Sequence, residues 1–194
     1  MFLKNDKVEI KLKVERVENF QKSLYDNEKN IFLNPSEYNE TDDGTKIVVM
    51  NVKMESKEYY ILLYVGITTP LFEANIAVLD GYIITVVGDY IVYQIDVSTG
   101  SLILEKELDI LNASEIYAIE NGYIVVGELY IEGVDKDFNE KWYFTPIDVI
   151  PAYRKGYFTL ENDRFKFYDL SKNFYEIDFN GKLIRDKIVN RCPI

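Results

Sequence analysis

The feature that most constrains the fold is a degenerate repeat that begins each time with a Gly-Tyr pair. The pairs are Gly81-Tyr82, Gly122-Tyr123 and Gly156-Tyr157, and each introduces a run of strand-forming residues. The first two pairs are 41 residues apart and the next two are 34 residues apart. Four short strands joined by tight turns within about 40 residues are typical of one blade of a β-propeller.

Each repeat is predicted to form a four-stranded antiparallel blade, with its glycine in the first turn and its tyrosine at the start of the second strand. In the third repeat the predicted strands are 149–153, 157–160, 164–168 and 174–179. The high content of aromatic residues, with 16 Tyr and 11 Phe, also favours strands.

Residues 1–194 are predicted to form a single all-β domain. Residues 76–194 hold the three propeller-like repeats, and residues 1–75 form a divergent N-terminal β unit, because Val8–Val14 alternates and two further strand runs follow it. The predicted architecture is a small or partial β-propeller of about four units. The sequence leaves open whether the ring closes or stays open.

The charge of the chain is unevenly distributed. The net charge is −11, but residues 31–150 alone carry 21 acidic and 6 basic side chains. Nucleic-acid binding requires clustered Lys and Arg, so no nucleic-acid partner is predicted. A basic protein would be attracted to such a surface, although a solvated face that only maintains solubility is the alternative.

The compartment is predicted from the same sequence. No stretch of about 18 apolar residues occurs, so no membrane span is predicted. The charged start of the chain has no signal-peptide core, and the lone cysteine, Cys192, fits a reducing compartment. We therefore predict a cytoplasmic protein.

One segment resembles a known repeat family. The run from Tyr90 to Leu102 resembles the quinoprotein-type (PQQ-like) β-propeller repeat, in which an apolar strand is followed by Asp, a short turn ending in Gly, and a new strand. Residues 135–142 and 178–183 look like further copies. Residues 76–184 are also similar to small bacterial proteins with this repeat and no established activity. The resemblance implies a propeller fold, and nothing in the chain resembles the cofactor site of quinoprotein dehydrogenases.

The residue types exclude several kinds of catalytic site. The chain has no histidine and one cysteine, which excludes His-dependent nucleophiles and makes a zinc site untenable. The run from Asp135 to Glu140 begins like a calcium loop but has Glu140 where the loop needs Gly, so we interpret it as a turn between strands. No catalytic residue, cofactor or metal is predicted, and the protein is predicted not to be an enzyme.

The candidate partner-binding residues lie in an acidic belt, residues 105–140. Strand alternation predicts that Glu128, Tyr130 and Glu132 share one solvent-facing side. Trp142 and Tyr143 are candidate aromatic anchors, with packing between blades as the alternative for Trp142. The full candidate set is Glu105, Glu107, Asp109, Glu128, Tyr130, Glu132, Asp135, Asp137 and Trp142.

These observations lead to a functional hypothesis with two alternatives. The leading hypothesis is a non-enzymatic protein-binding module, and a bacterial immunity protein that binds a basic toxin through its acidic face would fit. The first alternative is a carboxylate-dependent hydrolase or lyase with a site in the central funnel. The second alternative is a sensor of a small ligand or peptide.

Overall fold

The computed structural model describes residues 1–21, 24–25, 28–33, 44–70, 74–151, 157–161 and 163–189. A 3-10 helix covers Val17–Asn19. The strands are β1 (Phe2–Lys4), β2 (Glu9–Arg16), β3 (Ile31–Leu33), β4 (Lys46–Lys53), β5 (Glu58–Val65), β6 (Ala77–Asp80), β7 (Ile83–Gly88), β8 (Ile91–Asp96), β9 (Ser101–Glu107), β10 (Glu115–Ile119), β11 (Gly122–Val126), β12 (Ile131–Val134), β13 (Glu140–Phe144), β14 (Phe158–Glu161), β15 (Arg164–Tyr168), β16 (Phe174–Asp178) and β17 (Leu183–Lys187). The all-β prediction is confirmed.

The strands form four sheets that follow one another along the chain. The first sheet has five strands in the order β1-β2-β4-β5-β3, and β3 pairs with β5 in parallel. The second, third and fourth sheets are antiparallel meanders of four consecutive strands, namely β6–β9, β10–β13 and β14–β17. Short alternating runs joined by tight turns form such meanders because each strand pairs at once with the strand before it.

The sheets pack face to face like propeller blades. The inner strand β6 contacts both β1 and β10. Along β11, Tyr123 and Val125 join the core shared with the first and second sheets, whereas Ile124 and Val126 join the core shared with the fourth sheet. This alternation means that both faces of a middle blade are covered by its neighbours.

The two ends of the stack differ in how they meet solvent. The outer face of the first sheet is apolar and is covered by the protein's own chain, through Val17, Phe20 and Tyr25 of the segment after β2. The outer face of the fourth sheet is charged: Arg164 lies 2.6 Å from Glu176, and Lys166 pairs with Glu161. Covered or charged terminal faces suit an incomplete ring, since an exposed apolar sheet would aggregate. The sheets do not close, so the propeller is partial or open.

Several details of the predicted register are wrong. In the second sheet Gly81 and Tyr82 both lie in the two-residue loop between β6 and β7, so Tyr82 does not begin the second strand. In the fourth sheet Tyr157 precedes the first strand instead of beginning the second one, and 183–187 form the fourth strand. The predicted strand 149–153 is not a strand at residues 149–151. Residues 152–156, with Gly156, and Cys192 lie outside the described residues.

Candidate interaction surface

The acidic belt divides into separate groups in the folded protein. Glu105 and Glu107 are exposed on β9 and pair with Tyr93 and Ile91 of β8, whose side chains belong to the core shared with the first sheet. Lys106 lies on the opposite face of β9 and reaches the third sheet, where its Nζ donates to the carbonyl oxygen of Asp137 at 2.8 Å. Glu105 and Glu107 therefore point away from the gap between the second and third sheets.

A second group of acids converges on that gap. Glu132 on β12 and Val134 share one face of the third sheet, and Val134 belongs to the core facing the second sheet. Glu140 is paired with Val134 across β12 and β13, so it lies on the same face as Glu132. Asp109, just after β9, is close enough to raise the pKa of Glu132. We call Asp109, Glu132 and Glu140 the acidic seam.

Glu132 is the most unusual member of the acidic seam. Its side chain was expected to face solvent, but it is only 2% exposed. Glu128 lies in the turn before β12, so strand alternation does not apply to it, and the face of β12 that carries Glu132 meets the second sheet and not water. Burial first, and then the nearby Glu140 and Asp109, raise the pKa of Glu132 to about 7, although Lys106 opposes this shift.

Burial of Glu132 predicts a specific pH dependence of stability. A carboxyl whose pKa is raised in the folded state favours folding below its unfolded pKa, and this stabilisation is lost as pH rises through about 7. The wild type is therefore expected to lose stability relative to Glu132→Gln as pH rises. Between pH 5 and pH 8, the free energy of unfolding of Glu132→Gln minus that of the wild type should increase by roughly 2 kcal/mol. Urea unfolding at both pH values measures it, with Glu107→Gln as the control. Equal pH profiles for wild type and Glu132→Gln would contradict the prediction.

Two of the other candidate residues hold blades together. Glu128 lies in the turn between β11 and β12, where its Oε2 accepts a hydrogen bond of 2.5 Å from the side-chain amide of Asn112. In the preceding blade Thr68 donates in the same way to Asp89. Trp142 donates from Nε1 to the carbonyl oxygen of Phe179 at 2.9 Å and packs against the core between the third and fourth sheets. These contacts support the packing interpretation of Trp142.

Asp135 and Asp137 lie in the turn between β12 and β13, at the opposite end of the blade from Glu128. Asp135 Oδ1 accepts hydrogen bonds from the backbone N–H groups of Asp137 and Asn139, both at 2.9 Å. Asp96 and Asp178 accept backbone hydrogen bonds in the corresponding turns of the second and fourth sheets. The aspartate of each repeat therefore closes a turn, as Asx side chains do.

An apolar patch borders the acidic seam. Leu111, Leu129 and Tyr143 are 53%, 47% and 64% exposed. The backbone N–H of Glu128 donates to the carbonyl oxygen of Leu111 at 3.1 Å, which places the two loops side by side. Tyr130 packs edge to face on Tyr143, with ring centroids 6.3 Å apart. Tyr143 is also paired with Glu132 across β12 and β13, so these two side chains are neighbours on the same face of the third sheet.

Sequence reasoning missed Leu111 and Leu129 as parts of this surface, whereas Tyr143 was a candidate anchor and Glu140 and Lys106 fall within the acidic belt. A signal was present for one of them, because Leu129 is a large apolar residue at the tip of a hairpin turn, where polar residues predominate. Asp109 and Tyr130 do join here, since the Tyr130 hydroxyl donates to the backbone carbonyl of Asp109. Burial, followed by the charges of Asp109, Glu132 and Glu140, raises the pKa of Tyr130.

Comparison with known proteins supports the fold. No family model and no curated protein matches this chain. Among solved structures, BamB from Moraxella catarrhalis, a PQQ-like β-propeller, matches with a TM-score of 0.50 and 10% identity, over 77% of this chain and 48% of BamB. The fold is propeller-like.

Two further solved structures match this chain to a similar degree. BBS1N in complex with ARL6DN matches with a TM-score of 0.50 and 12% identity, over 78% of this chain and 51% of that one. The computationally designed Ika8 protein matches with a TM-score of 0.50 and 9% identity, over 75% and 46%. The chain thus spans about half the length of the structures that it matches.

The described residues contain neither a metal-binding cluster nor a membrane-spanning helix. No group of three or more Asp, Glu, Cys or His side chains in the described ranges is arranged to hold a metal ion. Within the same part of the chain, no helix has the length and apolar character needed to cross a membrane.

Proposed function

We propose that the protein is a non-enzymatic protein-binding module, and that the apolar patch and the acidic seam together bind a segment of a basic partner protein. The observation that carries this proposal is that three exposed apolar residues adjoin the acidic seam along the chain or across a strand pair: Leu111 follows Asp109, Leu129 precedes Glu132, and Tyr143 pairs with Glu132. Exposed apolar residues flanked by charges are typical of interaction sites. The excess of acidic residues in 31–150 favours a basic partner.

Two finer statements belong to the same proposal. A bacterial immunity protein that neutralises a basic toxin is one form this module would take, and the acidity of residues 31–150 and the absence of histidine support it. We also infer that the repeats are of the PQQ-like type. The three equivalent turns closed by Asp96, Asp135 and Asp178 support that inference, together with the likeness to BamB.

The alternatives have less support. The groove of 610 Å³ between the second and third sheets is lined by Asp80 and Glu120, but both are exposed to solvent. General acid chemistry by a carboxyl group uses a site shielded from water, so this groove does not favour the hydrolase or lyase. The sensor of a small ligand or peptide stays a prediction from sequence.

The test substitutes exposed residues of the apolar patch and leaves unchanged the residues whose contacts stabilise the fold. Charge reversal at Glu128 or Glu132 would disturb a hydrogen bond to Asn112 or place a cation in a buried position, so it would test folding instead of binding. We therefore choose the double variant Leu129→Ser with Tyr143→Ser. Both side chains are exposed, so the melting temperature is expected to stay nearly constant.

We expect this double variant to weaken binding of the partner by about 30-fold, because central apolar and aromatic anchors commonly contribute about 2 kcal/mol. The partner is identified by cross-linking in the native host, and its affinity for purified protein is measured by calorimetry at two salt concentrations. The control is Tyr82→Ser with Leu183→Ser, which removes two exposed residues on other sheets. Equal affinities for the two double variants would refute the proposed surface.

A further inference from the structure

Beside Tyr143, one oxygen of a buried carboxyl group lacks a hydrogen bond. The Oε2 atom of Glu132 is buried and has no hydrogen-bond partner among the described residues. An unsatisfied buried polar atom costs about 1 to 3 kcal/mol, so a fold keeps one only where something compensates for it. Two other acids of this blade do have partners: Glu128 has Asn112, and Asp135 has two backbone N–H donors.

We propose that the acidic seam binds the cationic end of an arginine or lysine side chain of the partner protein, which pairs with Glu132. This inference rests on the proposed function and names the chemical group that the surface recognises. Glu132, Glu140 and Asp109 supply the negative charge, and Tyr143, which is paired with Glu132, contacts the ring of Tyr130 next to it. Aromatic faces also attract cations.

The protein's own cation does not fill this role in the structure. Lys106 is the basic group that acts on Glu132 from β9, but its Nζ donates to the carbonyl oxygen of Asp137 at 2.8 Å and to Asn139 Oδ1 at 2.9 Å. It is thereby held at the turn between β12 and β13. A proton is the remaining means of neutralising Glu132, and an incoming ammonium or guanidinium group would replace that proton.

The groups that face Glu132 define how binding depends on pH. They are Lys106 and Asp109 from β9 and its following loop, Tyr130 beside it on the chain, and Glu140 and Tyr143 from β13. Of these, the charged carboxylates favour a proton or a cation on Glu132, and Lys106 opposes it. A cation that binds only the ionised carboxylate must therefore bind more tightly as pH rises.

The experiment uses the full chain and a defined probe. The probe is the acetylated, amidated peptide Leu-Arg-Leu-Arg, and its neutral counterpart has citrulline in place of both arginines. We expect the affinity of the arginine peptide to rise about tenfold between pH 6 and pH 8, because the ionised fraction of a carboxyl with a pKa near 7 rises by that factor. We expect no such rise for the citrulline peptide. Carbon-13 NMR of the Glu132 carboxyl should show its titration midpoint falling when the arginine peptide is added.

Matched variants separate this inference from the proposed function. Glu132→Gln should remove the pH dependence, whereas Glu107→Gln, with the same loss of charge on the other face of β9, should keep it. An affinity that does not change with pH, or a Glu132 midpoint that does not move in the wild type, would overturn the inference. Suppose that Glu132→Gln binds like the wild type while Leu129→Ser with Tyr143→Ser still loses the partner. In that case the inferred pairing of a cation with Glu132 is wrong, and the proposed binding surface stands.

Discussion

Replacement of Phe167 by alanine is expected to lower the free energy of unfolding by about 3 to 5 kcal/mol. Phe167 is 0% exposed and lies at the centre of the core between the third and fourth sheets. Its ring stacks on Tyr175 at 5.1 Å and meets Phe144 edge to face at 5.8 Å. Because, among the described residues, the fourth sheet has its apolar core against the third sheet, the cavity removes a large part of the packing that holds it in place.

Urea unfolding measures the loss, and hydrogen exchange shows where it acts. We expect the amides of β14–β17 to lose protection before those of the first two sheets, since local stability follows local packing. Tyr168→Ala is the control, because this neighbouring ring is 40% exposed and its loss should cost less than about 1 kcal/mol. A similar cost for both variants, or uniform loss of protection in all sheets, would show that the fourth sheet is not held in this way.

The second large effect is expected at Gly122, one of the glycines of the sequence repeat. Its φ of +151° is unfavourable for other residues, and a Cβ atom there would lie 1.9 Å from the carbonyl oxygen of Val134. That oxygen belongs to the backbone of the paired strand β12, so it cannot move aside cheaply. We expect Gly122→Ala to cost about 3 kcal/mol from strain and overpacking together.

The matched variant is Gly81→Ala, at the corresponding pair in the preceding repeat. Gly81 has a φ of +56°, but a Cβ atom would meet nothing within 4 Å. Only the left-handed backbone is then penalised, at about 1 kcal/mol. Thermal or urea unfolding of both variants gives the comparison. If Gly81→Ala proved as costly as Gly122→Ala, the close approach to Val134 would not be the cause.

The two glycines also show how far the repeat predicts local structure. Both precede tyrosine, and the sequence predicts both in the turn between the first two strands of a blade, which is correct for Gly81 and one residue off for Gly122. Gly81 occupies the loop itself, whereas Gly122 follows a loop of Glu120 and Asn121 and begins β11. Loop position depends on which residues pair across the hairpin, and that register is fixed by packing of the whole blade.

The sequence predicted that acidic residues concentrate in 105–140, but it did not predict which of them lie together in the folded protein. Asp109, Tyr130 and Glu132 do come together, whereas Glu105 and Glu107 lie on the other face of β9, and Glu128 bonds to Asn112. Alternation tells which side chains share a face of a strand. It does not tell whether that face meets solvent or another sheet, because this depends on the neighbouring blade.

The sequence by itself determined the secondary structure class, the meander of short strands and the approximate number of units. Those properties are local, since strand period and turn residues act within one blade. Only the tertiary structure decided that the ring stays open, with one end covered by the protein's own chain and the other charged. The burial of Glu132 against the second sheet, beside Tyr143, likewise depends on the tertiary structure. Both outcomes depend on how successive sheets stack, and the stacking brings together side chains that lie far apart in the chain.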